Sequence, residues 1–409
     1  SIFDIPGTAD LAILSIPARA VKQALYNCAA KGTKADVVFS SGFAEMGDEG
    51  RIMQDELRDA VHETGVRLLG PNCLGAASVK SGVIASFSSN FLGALPEPGS
   101  VAIVSQSGAF GAHLYSLARG RGIGLSHWLT TGNEVDITVA ECLDFLIEQP
   151  EVNTIMVYAE GINDGDGLLR ALEKAHEARK PIIFLKVGRT EVGAEAARSH
   201  TASIAVSDMV IDALFNQYGV HRANTTDEMM DIAYACQMGV FPKGRKLGVL
   251  SISGGVGVQM ADLAIKYGLE IPAMPKNVQQ KIRKMLPFAG VRNPVDITAA
   301  AMEDPSVIPV THEILLNETD CDAVATFLTP VSGDHETADA LLPMFEKIKA
   351  REPDKTISLN IIMPPDVAKR YEDKGFTVFD TPDRTVAALA GLMKYSEAFG
   401  RGKIETASI

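Results

Sequence analysis

Two stretches of this chain decide its architecture: VAIVSQSGAFGAHLYSLARGRGI at residues 101–123 and LGVLSISGGVGVQMADLAIKYGL at residues 247–269. Each reads as a buried strand, a Ser-x-Ser-Gly-x-x-Gly turn and an amphipathic helix. They align at a constant offset of 146 residues, which sets Ser105 on Ser251, Ser107 on Ser253, Gly108 on Gly254, Gly111 on Gly257 and Gly122 on Gly268. Two more echoes follow in the same order. Asn133-Glu-Val-Asp-Ile-Thr138 answers Asn293-Pro-Val-Asp-Ile-Thr298, and Tyr218-Gly-Val with Thr226-Asp227 answers Lys374-Gly-Phe with Pro382-Asp383. Ordered matches of this kind point to duplication of one α/β unit.

Upstream of the repeat the same rhythm continues. The pattern predicts a strand over 10–16, a helix over 18–31, a strand over 35–39, a helix from about 50 to 65 and a strand over 66–69. Strands alternating with helices mean βαβ units and parallel sheet. Pro/Gly breaks at Leu95-Pro-Glu-Pro-Gly-Ser100 and at 239–244 mark expected boundaries. The expected domains are therefore 1–95, 96–240 and 241–409. A length of 409 residues agrees, at roughly 150 residues per domain.

Composition narrows the function. The net charge of −13 argues against nucleic acid or an anionic membrane surface as a partner, and no apolar run reaches the length of a membrane span. Five scattered cysteines, with no CxxC pair, suit a reduced cytoplasmic protein without structural zinc. The 36 glycines suit tight strand-to-helix turns.

The repeated turn suits a phosphate. Gly108 and Gly254 allow close approach to the backbone, and the helix that follows points unpaired N–H groups at the same spot. Ser105, Ser107, Ser251 and Ser253 are candidate hydroxyl donors. No Walker A lysine loop is present. Among eight histidines, His62, His113, His176 and His312 lie in helical patterns, His127 and His221 in or beside strands, and His335 in a polar loop. His200 differs, because it stands in the small-residue segment Ala196-Ala-Arg-Ser-His-Thr-Ala-Ser203, where an imidazole is accessible to act as a nucleophile. Glu160 follows a predicted buried strand over 155–159, at the strand end where ligands of open α/β sheets gather. A carboxylate there can hold one imidazole N–H and leave the other nitrogen to attack phosphorus.

These residues together resemble the CoA-binding, alpha-type part of NDP-forming acyl-CoA synthetases, relatives of succinyl-CoA synthetase. The resemblance rests on Ser40-Ser-Gly-Phe43, Gly70-Pro-Asn-Cys-Leu-Gly75, Val104-Ser-Gln-Ser-Gly108, Gly132-Asn-Glu-Val-Asp136, Tyr158-Ala-Glu-Gly161, Ser199-His-Thr201, Ser253-Gly-Gly255 and Asn293-Pro-Val-Asp296. It implies a Rossmann-like CoA-binding domain followed by two flavodoxin-like domains. It implies a reversible ligation of a carboxylic acid to CoA, with NTP converted to NDP and phosphate through acyl phosphate and phosphohistidine. His200 falls on the phosphohistidine and Glu160 on the acid that orients it. Ser105, Gln106, Ser107 and Gly108 fall on one phosphate-facing helix start, and Ser253, Gly254 and Gly255 on the other. Ser15, Ile16 and Pro17, Ser40, Ser41, Gly42 and Phe43, and Pro71, Asn72 and Cys73 fall on CoA positions. Cys73 reads better as a small buried residue in a tight turn than as a thiolate.

The sequence departs from the family pattern in three ways. The first strand and Gly-rich loop that the resemblance implies for the CoA-binding domain are expected before residue 1. The nucleotide, with its Mg2+, is expected on an ATP-grasp part, either a beta-type subunit or a fused domain, and an oligomer is expected. Ala202 and Val206 stand where the family has glycine, a replacement that strains the loop if either site needs φ > 0. The competing expectation is a non-catalytic CoA- or acyl-CoA-binding or sensing protein.

Overall fold

The computed structural model describes residues 1–93, 95–193, 195, 208–329 and 334–400. They form two compact units, one ending at Ala233 and one beginning at Tyr234.

The first unit holds two sheets. Strands β1 (Leu11–Leu14), β2 (Ala35–Val38) and β3 (Arg67–Leu69) form a parallel three-stranded sheet in the order β1-β2-β3. Its crossover helices are Ala18–Lys31 and Asp48–Thr64, each closed by a left-handed glycine, Gly32 or Gly65. Val21, Leu25, Val38, Phe43, Leu57 and Leu68 fill the core between them.

The second sheet is built from β4 (Gly75–Ser78), β5 (Val83–Ser86), β6 (Pro98–Ser105), β7 (Leu125–Thr130), β8 (Thr154–Ala159), β9 (Ile182–Lys186) and β10 (His221–Arg222), in the order β10-β9-β8-β6-β7-β4-β5. Only β4 runs against the other strands, pairing antiparallel with β7 on one side and β5 on the other. The hairpin 75–86 thus precedes the Pro/Gly break near residue 95 but belongs to the second sheet. A further seam ties the two sheets. Asn133 N, Val135 N and Ile137 N donate to the carbonyls of Pro71, Gly70 and Leu68 at 2.9, 3.1 and 3.1 Å. Arg67 straddles the seam, reaching Asp136 at 2.9 Å and Glu141 at 2.7 Å.

The second unit carries β11 (Leu247–Ser251), β12 (Gly290–Val291), β13 (Val295–Asp296), β14 (Ala323–Phe327), β15 (Thr356–Asn360) and β16 (Thr377–Phe379), in the order β12-β13-β11-β14-β15-β16. The duplication is visible in this order. Reading β10-β9-β8-β6-β7 against β16-β15-β14-β11-β13 gives the same doubly wound topology twice, with β6 and β11 in equivalent places. The equivalence reaches single atoms, because Ser105 Oγ donates to Ser107 O at 2.6 Å and Ser251 Oγ donates to Ser253 O at 2.7 Å. His335, expected in a loop, is instead the first residue of the helix His335–Arg351, capped by Asp334, which accepts from Thr337 N.

Candidate active site

One cavity of about 340 Å³ lies in the first unit, at the C-terminal ends of β2, β6 and β8. Its walls include Ser41, Asn72, Cys73, Gln106, Ser107, Gly108 and Glu160, all singled out from sequence. The helix Gly108–Gly120 starts at this wall. Ser107 caps it, its Oγ accepting from Phe110 N at 3.2 Å. Gly108 is required there, since a Cβ would lie 2.7 Å from Leu74 Cγ. The positive end of the helix faces the cavity and favours an anion.

Glu160 sits just beyond β8 and is held by its backbone. Gln106 Oε1 accepts from Glu160 N at 2.7 Å and from Gly161 N at 3.1 Å, while Gln106 Nε2 donates to Gly161 O at 2.9 Å. Lys186 Nζ donates to Glu160 O at 2.8 Å. Tyr158 OH stands 3.4 Å from Glu160 Oε1, and its ring stacks on Phe110 with centroids 4.1 Å apart. Burial, and then the Glu160 charge, push the Tyr158 phenol well above its ordinary pKa, so it stays a proton donor.

Two sequence expectations are corrected here. Ser105 and Ser251 are fully buried and donate to backbone carbonyls, so they are not hydroxyl donors to a ligand. Gln106, expected on phosphate, spends its amide on the 160–161 peptide and its backbone N–H on Tyr158 O. In both cases the polar groups already have partners within the chain. His200, Ala202 and Val206 lie outside the described residues.

The expected CoA positions fall into two groups. Ser15, Ile16 and Pro17 are exposed and meet Ser40, whose Oγ donates to Ile16 O and accepts from Ile16 N at 3.3 Å. Gly42 turns here at φ 107°, and Phe43 is buried in the first core, anchoring the loop. Pro71, Asn72 and Cys73 follow β3, with Asn72 N donating to Ser40 O at 2.9 Å. Cys73 is buried beside Val38 O and Leu69 O, and burial pushes its thiol up to about 12, so it is no thiolate.

Sequence reasoning missed the polar cluster that closes the cavity. Asn133 Nδ2 donates to Glu45 Oε2 at 2.6 Å and to Gln54 Oε1 at 2.9 Å, and Asn133 Oδ1 accepts from Asn72 Nδ2 at 3.2 Å. Glu45 Oε1 accepts from Gly42 N at 2.6 Å and Phe43 N at 3.2 Å. Burial opposes ionisation of Glu45, but the hydrogen bonds from Asn133, Gly42 and Phe43 outweigh it and hold its pKa below the ordinary value. The repeat echo at Asn133-Glu-Val-Asp136 was the available signal. Gly132 turns at φ 62°, and a Cβ there would lie 2.2 Å from Pro71 O.

In the second unit, Ser253, Gly254 and Gly255 open the helix Gly254–Lys266, but Ser253 makes no side-chain cap. A Cβ at Gly254 would come within 3.0 Å of Asp296 Oδ2. A carboxylate therefore already lies at this helix start, whereas the equivalent Asp136 is drawn aside by Arg67 and Leu68 N.

Comparison with known proteins fits this arrangement. Residues 98–236 match the succinyl-CoA ligase like flavodoxin domain, and residues 248–395 match the Ligase-CoA domain. The alpha subunit of ADP-forming acetate–CoA ligase II from Pyrococcus furiosus is 32% identical over 98% of this chain and 87% of its own length. This chain belongs to the NDP-forming acyl-CoA synthetase family. It corresponds to the alpha subunit of that family, and spans 57% of the ADP-forming acetate–CoA ligase I of Archaeoglobus fulgidus, at 31% identity over 99% of this chain. Among solved structures, a dinucleotide-forming acetyl-coenzyme A synthetase 1 of Ca. Korarchaeum cryptofilum, in complex with phosphate and ADP, superposes with a TM-score of 0.85 at 32% identity, covering 97% of this chain and 84% of that one. Among the described residues no helix is long and apolar enough to cross a membrane, and no group of three or more His, Cys, Asp or Glu is placed to hold a metal ion.

Proposed function

We propose that this chain is the CoA-binding, phosphohistidine-carrying part of an acid–thiol ligase, and that the first-unit cavity is where acyl phosphate meets the CoA thiol. One observation carries the reading: a single cavity gathers Ser41 and the Asn72–Cys73 turn from the first sheet with Ser107, Gly108 and Glu160 from the second.

In the ligase direction an imidazole nitrogen of His200 attacks the γ-phosphorus of NTP, the P–O bond to the β-phosphate breaks and NDP leaves. A carboxylate oxygen then attacks the phosphorus and the P–N bond breaks, giving acyl phosphate. The CoA thiolate attacks the acyl carbon, the C–O bond breaks, and inorganic phosphate leaves. Glu160 holds one imidazole N–H during this sequence. The helix start at Ser107–Gly108 offsets the phosphoryl charge, and the Ser253–Gly255 start is the second candidate for that role. CoA runs along Ser15–Pro17 and Ser40–Phe43, with its thiol end at Pro71–Cys73. The nucleotide and its Mg2+ belong to an ATP-grasp part, as a beta-type subunit or as a fused domain. The assembly is oligomeric and cytoplasmic, in keeping with five buried cysteines, none of them in a disulfide.

The test supplies an ATP-grasp partner and labelled NTP. An acid-labile, base-stable phosphoryl group is expected on the wild type and absent from His200→Ala. CoA binding without any such label would instead favour a sensing role, the reading that Ala202 and Val206 suggest.

A further inference from the structure

The turn Thr131–Glu134 lies where the two sheets of the first unit meet, and its last two residues reach in opposite directions. Asn133 faces the first sheet, bonded to Glu45, Gln54 and Asn72. Through Glu45 it is one bond away from Gly42 N and Phe43 N, the loop read above as carrying CoA.

Glu134 faces the second sheet. Its carboxylate is buried, with Oε1 accepting from Thr131 Oγ1 at 2.9 Å and Val139 N at 3.0 Å, and Oε2 accepting from Asn163 Nδ2 at 2.7 Å. Gln106 adds its amide to the same carboxylate. These two contacts bracket the turn that carries Glu160. Gln106 clamps the peptide at 160–161, and Asn163 is pinned three residues on. Glu134 itself sits at φ 56°, a conformation that L-residues rarely adopt. A non-glycine residue held there, with a buried carboxylate fully occupied by donors, marks a site where the backbone is strained to aim a side chain.

We infer that Asn133 and Glu134 are a back-to-back pair of positioning residues, Asn133 setting the CoA-facing loop and Glu134 setting the Glu160 turn, so that one short turn aligns the two halves of the transfer reaction. This inference rests on the reading of the cavity given under the proposed function. Neither side chain takes part in bond making. A displacement of about 1 Å in a reacting group is enough to cost on the order of a hundredfold in rate.

The pair makes a split prediction that a general folding role does not. The chain is given acetyl phosphate, and the acid-labile label is followed in time. CoA affinity is measured separately by calorimetry on the same chain. Glu134→Gln keeps the volume but sets an amide against the Asn163 donor. It is expected to slow labelling on the order of tenfold or more, with CoA affinity within about twofold of wild type. Asn133→Ala is expected to do the reverse, weakening CoA about tenfold and leaving the labelling rate within about twofold. Asn163→Ser, which removes only the donor to Glu134, should follow Glu134→Gln and serves if that variant does not fold. Labelling of both Glu134→Gln and Asn163→Ser at the wild-type rate overturns the inference, as does a finding that the two classes of variant change both readouts alike. A wild-type chain that takes no label under any donor overturns the phosphoryl-transfer reading and this inference with it.

Discussion

Gln106 Oε1 accepts the backbone N–H of Glu160 at 2.7 Å, so the residue after β6 fixes the residue after β8 across 54 positions of sequence. The bond explains why a glutamine follows Ser105, since one amide group can both accept from and donate to a single buried peptide. Gln106→Leu keeps the bulk and strands the Gly161 carbonyl and two N–H groups. A loss of about 1–3 kcal/mol in urea-unfolding stability is expected. Phosphoryl transfer to the histidine should slow more than tenfold, because the Glu160 backbone is no longer clamped. Unchanged labelling in Gln106→Leu would remove this clamp from the mechanism.

Asp36 is the least well-placed charge in the first sheet. It is buried in the middle of β2, neither carboxylate oxygen has a hydrogen-bond partner, and the Cys28 thiol is the polar group beside it. Burial pushes its carboxyl up to about 6. A folded pKa above the unfolded one favours folding fully below the unfolded value, and that contribution is lost as pH rises through 6. Asp36→Val should therefore stabilise the protein at pH 7.5 by up to about 3 kcal/mol, with the gain shrinking towards pH 4. Thermal melts of both proteins across that range check it. A gain that is the same at pH 4 and pH 7.5 would contradict the assignment.

His312 has the opposite sign in the second unit. A carbonyl can only accept, so Nδ1 carries the proton and donates to Ile308 O at 3.0 Å, and Nε2 accepts from Thr326 Oγ1 at 2.6 Å. Burial pushes its pKa down to about 4. Its contribution is present above the unfolded value and is lost as pH falls from about 6.5 towards 4, by up to about 3 kcal/mol. His312→Gln should lower stability at pH 7.5 and flatten the slope between pH 4.5 and 6.5. A variant with the wild-type slope would show that another group titrates there.

Much of this arrangement is legible in the sequence. The strand–Ser-x-Ser-Gly–helix repeat predicts both doubly wound sheets, and the helix at 18–31 is seen at the residues expected. Strand-end logic for Glu160, the repeated turn for Ser107 and Gly108, and the family resemblance for Ser41 and Asn72 single out residues that line one cavity. What the sequence conceals is where side chains spend their hydrogen bonds. Ser105 and Ser107 look alike in a string, yet one donates to a carbonyl two residues on and the other caps a helix. Asn133 and Glu45 are 88 positions apart, and nothing local to either residue announces the other.

Two glycines separate a clash that can be relieved from one that cannot. A Cβ at Gly108 meets the Leu74 side chain at 2.7 Å, whereas a Cβ at Gly132 meets the backbone oxygen of Pro71 at 2.2 Å from a left-handed conformation. Gly108→Ala should impair phosphoryl transfer, and adding Leu74→Ala should restore part of it by making room. Gly132→Ala should cost about 2 kcal/mol or more, with no rescue from Leu74→Ala. Comparable rescue of both alanine variants would mean that Leu74 loosens the site in general.

Glu45 is where the loop 40–43 and the seam between the sheets depend on one charge. Its carboxylate accepts from Gly42 N, Phe43 N and Asn133 Nδ2, and those bonds hold its pKa below the ordinary value. A depressed carboxylate contributes stability above its unfolded pKa and loses it as pH falls through the folded value. Glu45→Gln keeps one acceptor oxygen and sets an amide donor against either the loop N–H groups or Asn133. CoA affinity should fall about tenfold, in proportion to one lost charge-assisted bond of about 1.5 kcal/mol. Acidification of the wild type to below the ordinary carboxylate range should weaken CoA binding in the same way, while the Gln variant should show no such additional loss. Calorimetric titrations of both proteins at pH 7 and at the acid limit of folding decide it. Equal pH dependence in the two would show that Glu45 does not set the loop.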